Sequence, residues 1–330
     1  MAPPARVRDW GFEPGAKRGR ALDAAMRGRL AQSLSYIFER IGAELGISDD
    51  DAARVIGATR STRQSPHVFG AYYELVLAVE RDEIEPAREF ARELLERCAA
   101  PAPLVWARSL GDRPSPDEAR YRRMLLPEEI VAEAPDEPTL QSALGRIAAA
   151  MDLLDRGFPG MADEIRELLF EIVVGVGSEE PKVLTFDGSS SYMLWGAIML
   201  NARGQSSVLD TAQALAHESG HNLLFGKCAS GPLVENDDDE DFAHPLRSDP
   251  RPMDGVFHAA YVIARMHQTL ERLLASGVLD EEQRAAAQKD LELHRVNFAA
   301  ADAVIFAHGK LTPLGHESIE AARAQFGETA

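Results

Sequence analysis

The stretch Leu215-Ala216-His217-Glu218-Ser219-Gly220-His221-Asn222-Leu223-Leu224-Phe225 restricts the architectures open to this chain more than any other. It contains H-E-x-x-H, whose two histidines act together only on a helix, where residues four apart share a face. Leu209, Ala212, Leu215, Ala216, Leu223 and Leu224 recur around it at helical spacing, and Asp210 is placed to cap the helix start. Two imidazoles make an incomplete metal site, so a third donor has to come from another element.

The chain before this helix is mostly amphipathic. Residues 1–20 are rich in Pro, Gly and Arg and read as a flexible arm. Leu22, Met26, Leu30, Leu34, Ile37, Phe38 and Ile41 form one buried stripe, which predicts a long helix over 22–45. Asp49 to Asp51 mark a short helix, Ser65-Pro66 opens another, and 83–97 reads as a further one. Leu104 to Trp106 suit a short strand. Residues 111–138, rich in Pro and charge, read as a long exposed connection holding a short helix, and 139–154 and 161–172 as helices.

The pattern changes near Ile172. Residues 172–176 and 182–186 are β-rich, and Tyr192 to Leu200 is an apolar run broken by Gly196. The fold class expected is therefore α+β and predominantly helical. A small sheet is expected to pack on a zincin-like H-E-x-x-H helix, followed by long helices. Three regions are expected: the arm over 1–20, a helical scaffold or substrate-recognition region over 21–155, and a metal-binding catalytic region over 156–330 integrated with it.

Composition narrows the function classes. The formal net charge of −18 argues against sequence-independent nucleic-acid binding, which relies on basic surface; the local clusters Arg113, Arg120, Arg122, Arg123 and Arg60, Arg63 read as solvated helix faces. Two cysteines, Cys98 and Cys228, form neither a disulfide framework nor a C-x-x-C site. No apolar signal region and no bilayer-spanning run is visible, so no membrane partner and a cytoplasmic location are expected. The acidic run Glu235 to Asp241 does not match the EF-hand pattern and reads as a mobile loop, with a substrate lid as the functional alternative.

The third donor emerges from residues 249–266. Pro252 and Asp254 suit a helix start, and the apolar pattern runs on to about Leu274. Asp254, His258, Tyr261 and Arg265 fall on one face of that helix, an arrangement expected of an active-site wall. His258 becomes the third metal ligand beside His217 and His221, with Asp254 or Tyr261 supporting it and Arg265 binding an anion. The metzincin extension is absent, since its Gly and His positions hold Leu224 and Lys227. A zinc metallopeptidase with Glu218 as general base remains one reading. Three imidazoles suit Fe(II) with a bidentate co-substrate and O2 equally well; a carboxylate co-substrate then needs an arginine, for which Arg265 and Arg251 are available.

Three segments together carry a resemblance: LAHESGHNLL, the stretch DPRPMDGVFHAAYVIARM, and GKLTPLG near the C-terminus, with WGAIMLN ahead of the metal helix also fitting. Over about residues 180–316 the chain resembles the 2-oxoglutarate-dependent H-E-x-x-H-type peptide β-hydroxylases, formerly described as H-E-x-x-H motif-containing peptide modification proteins. The resemblance implies an Fe(II), 2-oxoglutarate and O2-dependent dioxygenase. Its partner would be a ribosomally synthesised precursor peptide, hydroxylated at a Cβ. It implies His217, His221 and His258 as metal ligands and Arg265 as the 2-oxoglutarate anchor, while Arg251 and Tyr261 stay co-substrate candidates from the residue pattern alone. A hydroxylase needs no general base, so Glu218 would orient the site or contact substrate. A non-catalytic peptide-binding protein with a structural metal is the third class.

Overall fold

The computed structural model describes residues 11–99, 106–113, 115–127, 130–178, 186–246 and 249–327. In chain order the helices and strands are α1 (Ala16–Leu45), α2 (Asp49–Ser61), α3 (Pro66–Glu80), α4 (Ile84–Ala99), β1 (Ala107–Ser109), α5 (Pro116–Leu125), β2 (Ala132–Glu133), α6 (Glu137–Gly157), α7 (Pro159–Leu168), β3 (Glu171–Gly177), β4 (Gly188–Ser190) and β5 (Ala197–Asn201). They continue with α8 (Val208–Cys228), β6 (Asp241–Phe242), β7 (Arg251–Pro252), α9 (Met253–Ser276), α10 (Glu281–His308) and α11 (Pro313–Arg323). The protein is a mainly helical α+β chain with a small mixed sheet.

The chain divides into two compact units: Met1–Gly19, Ser142–Arg166 and Gln205–Ala330 form one, and Arg20–Gln141 with Glu167–Gly204 the other. This cuts the chain elsewhere than the sequence boundary at 155/156. The strands after 166 cluster with the N-terminal helices, while residues 11–19 and 142–166 cluster with the H-E-x-x-H helix.

The second unit is built on the sheet. β1, β3 and β5 run parallel, with β4 antiparallel on the far edge of β5 and β2 antiparallel to β3. β3 and β5 carry almost continuous buried apolar residues, as parallel central strands do. Leu110, Tyr121, Met124, Leu125, Val173, Leu194 and Met199 form one core there. The expected exposed connection over 111–138 is therefore corrected: α5, capped by Ser115 and opened by Pro116, buries Tyr121, Met124 and Leu125 in it. Arg120, read as part of a solvated face, is buried and donates to Glu74 (2.6 Å) and Glu93 (2.8 Å). The apolar run 192–200 splits into a short 3-10 turn, Tyr192–Leu194, and β5. Leu104, Val105 and 182–185, expected in strands, lie outside the described residues.

The first unit is organised around α9, which packs against α8, α10 and α11. Sixteen of the 24 residues of α9 are buried, and its exposed residues lie at its two ends, Asp254 at the start and Glu271, Arg272, Ala275 and Ser276 in the last turns. The C-terminal segment docks beside α8: Val234 pairs with Leu311, and Thr312 donates its N–H to the Leu233 carbonyl at 3.1 Å and caps α11. Gly315 is obligatory there, because a Cβ on it would sit 2.0 Å from that carbonyl oxygen. The arm reading also changes: α1 starts at Ala16, Phe12 is buried, and Arg18 is 2% exposed. No helix among the described residues is long and apolar enough to cross a membrane.

Candidate metal centre

α8 begins with a capping box in which the Ser207 side chain accepts from the Asp210 N–H and Asp210 accepts from the Ser207 N–H. Ser207 is thus the cap, and Asp210 its partner at the third helical position. From this fixed start, His217 and His221 project on one face, and α9 brings His258 against them. His217 Nε2 lies 3.1 Å from His221 Nε2, and His221 Nδ1 lies 3.0 Å from His258 Nδ1. The His221 and His258 rings stack with centroids 5.2 Å apart, and Phe225 packs against both. The three candidate ligands named from sequence are therefore brought together in one row, although 37 residues separate His221 and His258.

Burial sets the protonation of the cluster. Desolvation lowers the His217 pKa to about 4, with His294 adding to the effect. It drives His221 well below its ordinary value, reinforced by the neighbouring imidazoles, and lowers His258 against the opposing pull of the Asp254 carboxylate. All three rings are neutral near pH 7, the form that offers lone pairs to a divalent cation. His217 keeps 24% of its side chain exposed, which marks the open side.

The donor set fits a divalent transition metal, since three neutral imidazoles from two packed helices are the chemistry such ions take. As they stand, the rings form a chain rather than a convergent trio, because His221 turns opposite nitrogens to its two neighbours. Among the described residues no group of three or more His, Cys, Asp or Glu is arranged around a single point. Each N···N contact needs a proton on one side and a lone pair on the other. The chain can hold protons where a metal would take the lone pairs. Asp254 stands 3.8 Å from His258 Nε2, so Nδ1 is the nitrogen that faces the other rings.

Glu218 is buried beside the cluster, with Oε1 3.9 Å from His217 Nε2. Gly220 governs how closely the two helices approach. A Cβ there would lie 3.1 Å from Val262 Cγ1 and 3.5 Å from Arg265 Cγ, so the Arg265 stem runs against α8. Lys227, at the position of the metzincin third ligand, donates instead to Ser318 Oγ at 3.0 Å.

The polar stripe on α9 runs from solvent into the interior. Asp254 is half exposed, His258 is buried, and Tyr261 and Arg265 are fully buried. Arg265 pairs with Glu164, whose carboxylate is also held by Arg18 at 2.5 and 2.9 Å. Arg251, by contrast, pairs at the surface with Asp249 at 2.5 Å. The acidic loop is anchored at its start, where Asn236 donates to the His308 carbonyl and accepts from the Lys310 N–H. His267 turns away from His258, as its spacing predicts, and packs against Phe326 and His294.

Arg18 and Glu164 were not singled out from the sequence. Glu164 is one carboxylate among many and carries no local signal. Arg18 could have been found, because it lies four residues before Leu22 and so extends the buried stripe of α1 by one turn.

No family model matches the chain, and no curated protein matches it.

Proposed function

We propose that this protein is a cytoplasmic, mononuclear Fe(II) and 2-oxoglutarate-dependent dioxygenase that hydroxylates a Cβ position in a ribosomally synthesised precursor peptide. The observation that carries the reading is the pairing, on one buried helix face, of the third histidine of a neutral three-imidazole cluster with a buried arginine. His258 and Arg265 are seven residues apart, about 10 Å along the α9 axis. Side chains on a helix lean toward its N-terminus, so Arg265 reaches back toward His258. A short dicarboxylate held at its far end by the guanidinium can present its other end to the imidazoles.

His217, His221 and His258 would hold the iron, and when bound it supplies O2 activation coupled to decarboxylation of the co-substrate. The protein's own part is to keep the three rings neutral through burial and to exclude water on the α9 side. Arg265 would orient the co-substrate. Asp254 would set the His258 tautomer by offering an acceptor on the side away from the cluster. The partly exposed face of His217 is where a peptide would enter, and Glu218 borders that entry.

A zinc peptidase is the competing reading, and it draws on the buried Glu218 carboxylate beside His217. Metal analysis of the purified protein, combined with a succinate-release assay on candidate precursor peptides, separates the two. Iron-dependent succinate release is expected. Tightly held zinc with Glu218-dependent peptide cleavage refutes the hydroxylase.

A further inference from the structure

Around Arg265 the charges and donors do not balance. Arg18 and Arg265 are 2% and 0% exposed, and a single carboxylate, Glu164, serves both. Arg18 spends its fork on Glu164 and gives its remaining nitrogen, Nη1, to the Gly11 carbonyl at 2.8 Å. Arg265 uses only Nη2, which meets Glu164 and the Met161 sulfur. Its Nε and Nη1 meet no acceptor among the described residues, and neither does the hydroxyl of the adjacent, fully buried Tyr261. Glu13, the next carboxylate nearby, is engaged near the surface by Arg272 and Gln268. One positive charge, three guanidinium hydrogens and one hydroxyl are thus buried without an acceptor. Buried ionic donors are rarely left so, because each forfeits its hydration with nothing in return.

We infer that Arg18, Arg265 and Tyr261 form a buried binding site for a small carboxylate, in which Glu164 is the built-in counter-ion that keeps the two arginines together while the site is empty. Arg265 and Tyr261 supply the donors for the incoming carboxylate, which takes up the positive charge Glu164 leaves over. Arg18 carries half of Glu164's attention, so it frees Arg265 for the ligand. The first turn of α1 thereby belongs to the site. Phe12, whose ring lies 5.1 Å from that of Tyr261, closes it from the N-terminal side. The carboxylate site stands on these contacts alone. That its natural ligand is 2-oxoglutarate rests on the proposed hydroxylase function.

The test is direct binding to the full-length protein, by calorimetry and by thermal shift, with 2-oxoglutarate, succinate and the neutral diester dimethyl succinate as probes. The acids are expected to bind and the diester not. Arg265→Lys and Arg18→Lys should each weaken binding by about tenfold or more, because an ammonium cannot reproduce the guanidinium fork. Glu164→Gln, close to isosteric, should strengthen it by removing the competing anion, and it keeps the test decisive if an arginine variant does not fold. Binding of succinate but not 2-oxoglutarate, still dependent on Arg18, upholds the site and sinks the hydroxylase reading. Succinate release that proceeds while binding ignores Arg18 and Glu164 upholds the hydroxylase and overturns the site. Asp9 is the sole acidic residue among residues 1–10. If Asp9→Asn creates carboxylate binding that the wild-type chain lacks, the acceptor is the protein's own, and the proposal is overturned.

Discussion

Gly220 offers a measurement of how tightly α8 is held against α9. Replacing glycine by alanine inside a helix ordinarily stabilises, by about 1 kcal/mol from propensity alone. At Gly220 the new methyl would meet Val262 Cγ1 at 3.1 Å, tighter than most real contacts. Val262 is fully buried and β-branched, so it has no spare rotamer into which to retreat. Overpacking of that kind costs about 1–3 kcal/mol, which cancels the propensity gain and leaves a net loss of about 0–2 kcal/mol. Gly145 on α6 is the internal control, since a Cβ there meets nothing within 4 Å. Gly145→Ala should therefore raise stability by about 0.5–1 kcal/mol in urea unfolding while Gly220→Ala lowers it or leaves it flat. The same push separates His258 from His221, so Gly220→Ala should also weaken metal binding measured by calorimetry, and Gly145→Ala should not. If Gly220→Ala stabilises as much as Gly145→Ala and leaves metal affinity unchanged, the close α8–α9 seam is wrong.

His258→Ala should cost metal occupancy in elemental analysis and abolish activity while the helical circular dichroism survives; full occupancy would remove it from the centre. Arg265→Lys should raise the 2-oxoglutarate requirement about tenfold or more and leave the peptide requirement nearly unchanged, as expected of a bidentate carboxylate contact; an unaltered 2-oxoglutarate requirement would point to Arg251. Acid should destabilise the α9–α10 seam, because burial holds His267 and His294 near a pKa of about 4. The unfolded rings titrate near about 6.5, so the unfolded state binds more protons as pH falls below that value. The contribution of these two rings is level above that range, declines between pH 6.5 and 4, and levels again, with a loss of about 2 kcal/mol per ring between pH 7 and 5. His267→Phe should narrow the gap between unfolding curves at pH 7 and pH 5; an unchanged gap refutes the assignment. Chelation should stop succinate release, and Fe(II) rather than zinc should restore it.

Much of the centre is legible in the sequence because it is written in helical periodicity. His217 and His221 are four apart, and the stripe Asp254, His258, Tyr261 and Arg265 repeats with the helical turn, so local geometry alone puts each set on one face. The mainly helical class, the long helices and the shared face of His258 and Arg265 follow from that period. The exposed reading of 111–138 failed because Pro and charge marked the ends of α5 while its buried face, Tyr121, Met124 and Leu125, is short enough to be missed. Arg120 failed for a different reason: its partners Glu74 and Glu93 lie on α3 and α4, and long-range pairing leaves no trace in local spacing.

The sequence by itself determined which residues can share a helix face, and so which donors can act together. The tertiary structure alone decided which faces meet. It set the three imidazoles in contact across α8 and α9, with Gly220 allowing the approach. It took Arg18 from an arm without apparent structure and paired it, across more than a hundred residues, with Glu164 and, through it, with Arg265. Helical periodicity is a property of neighbours in the chain, whereas burial of a charge is settled only when distant elements close over it.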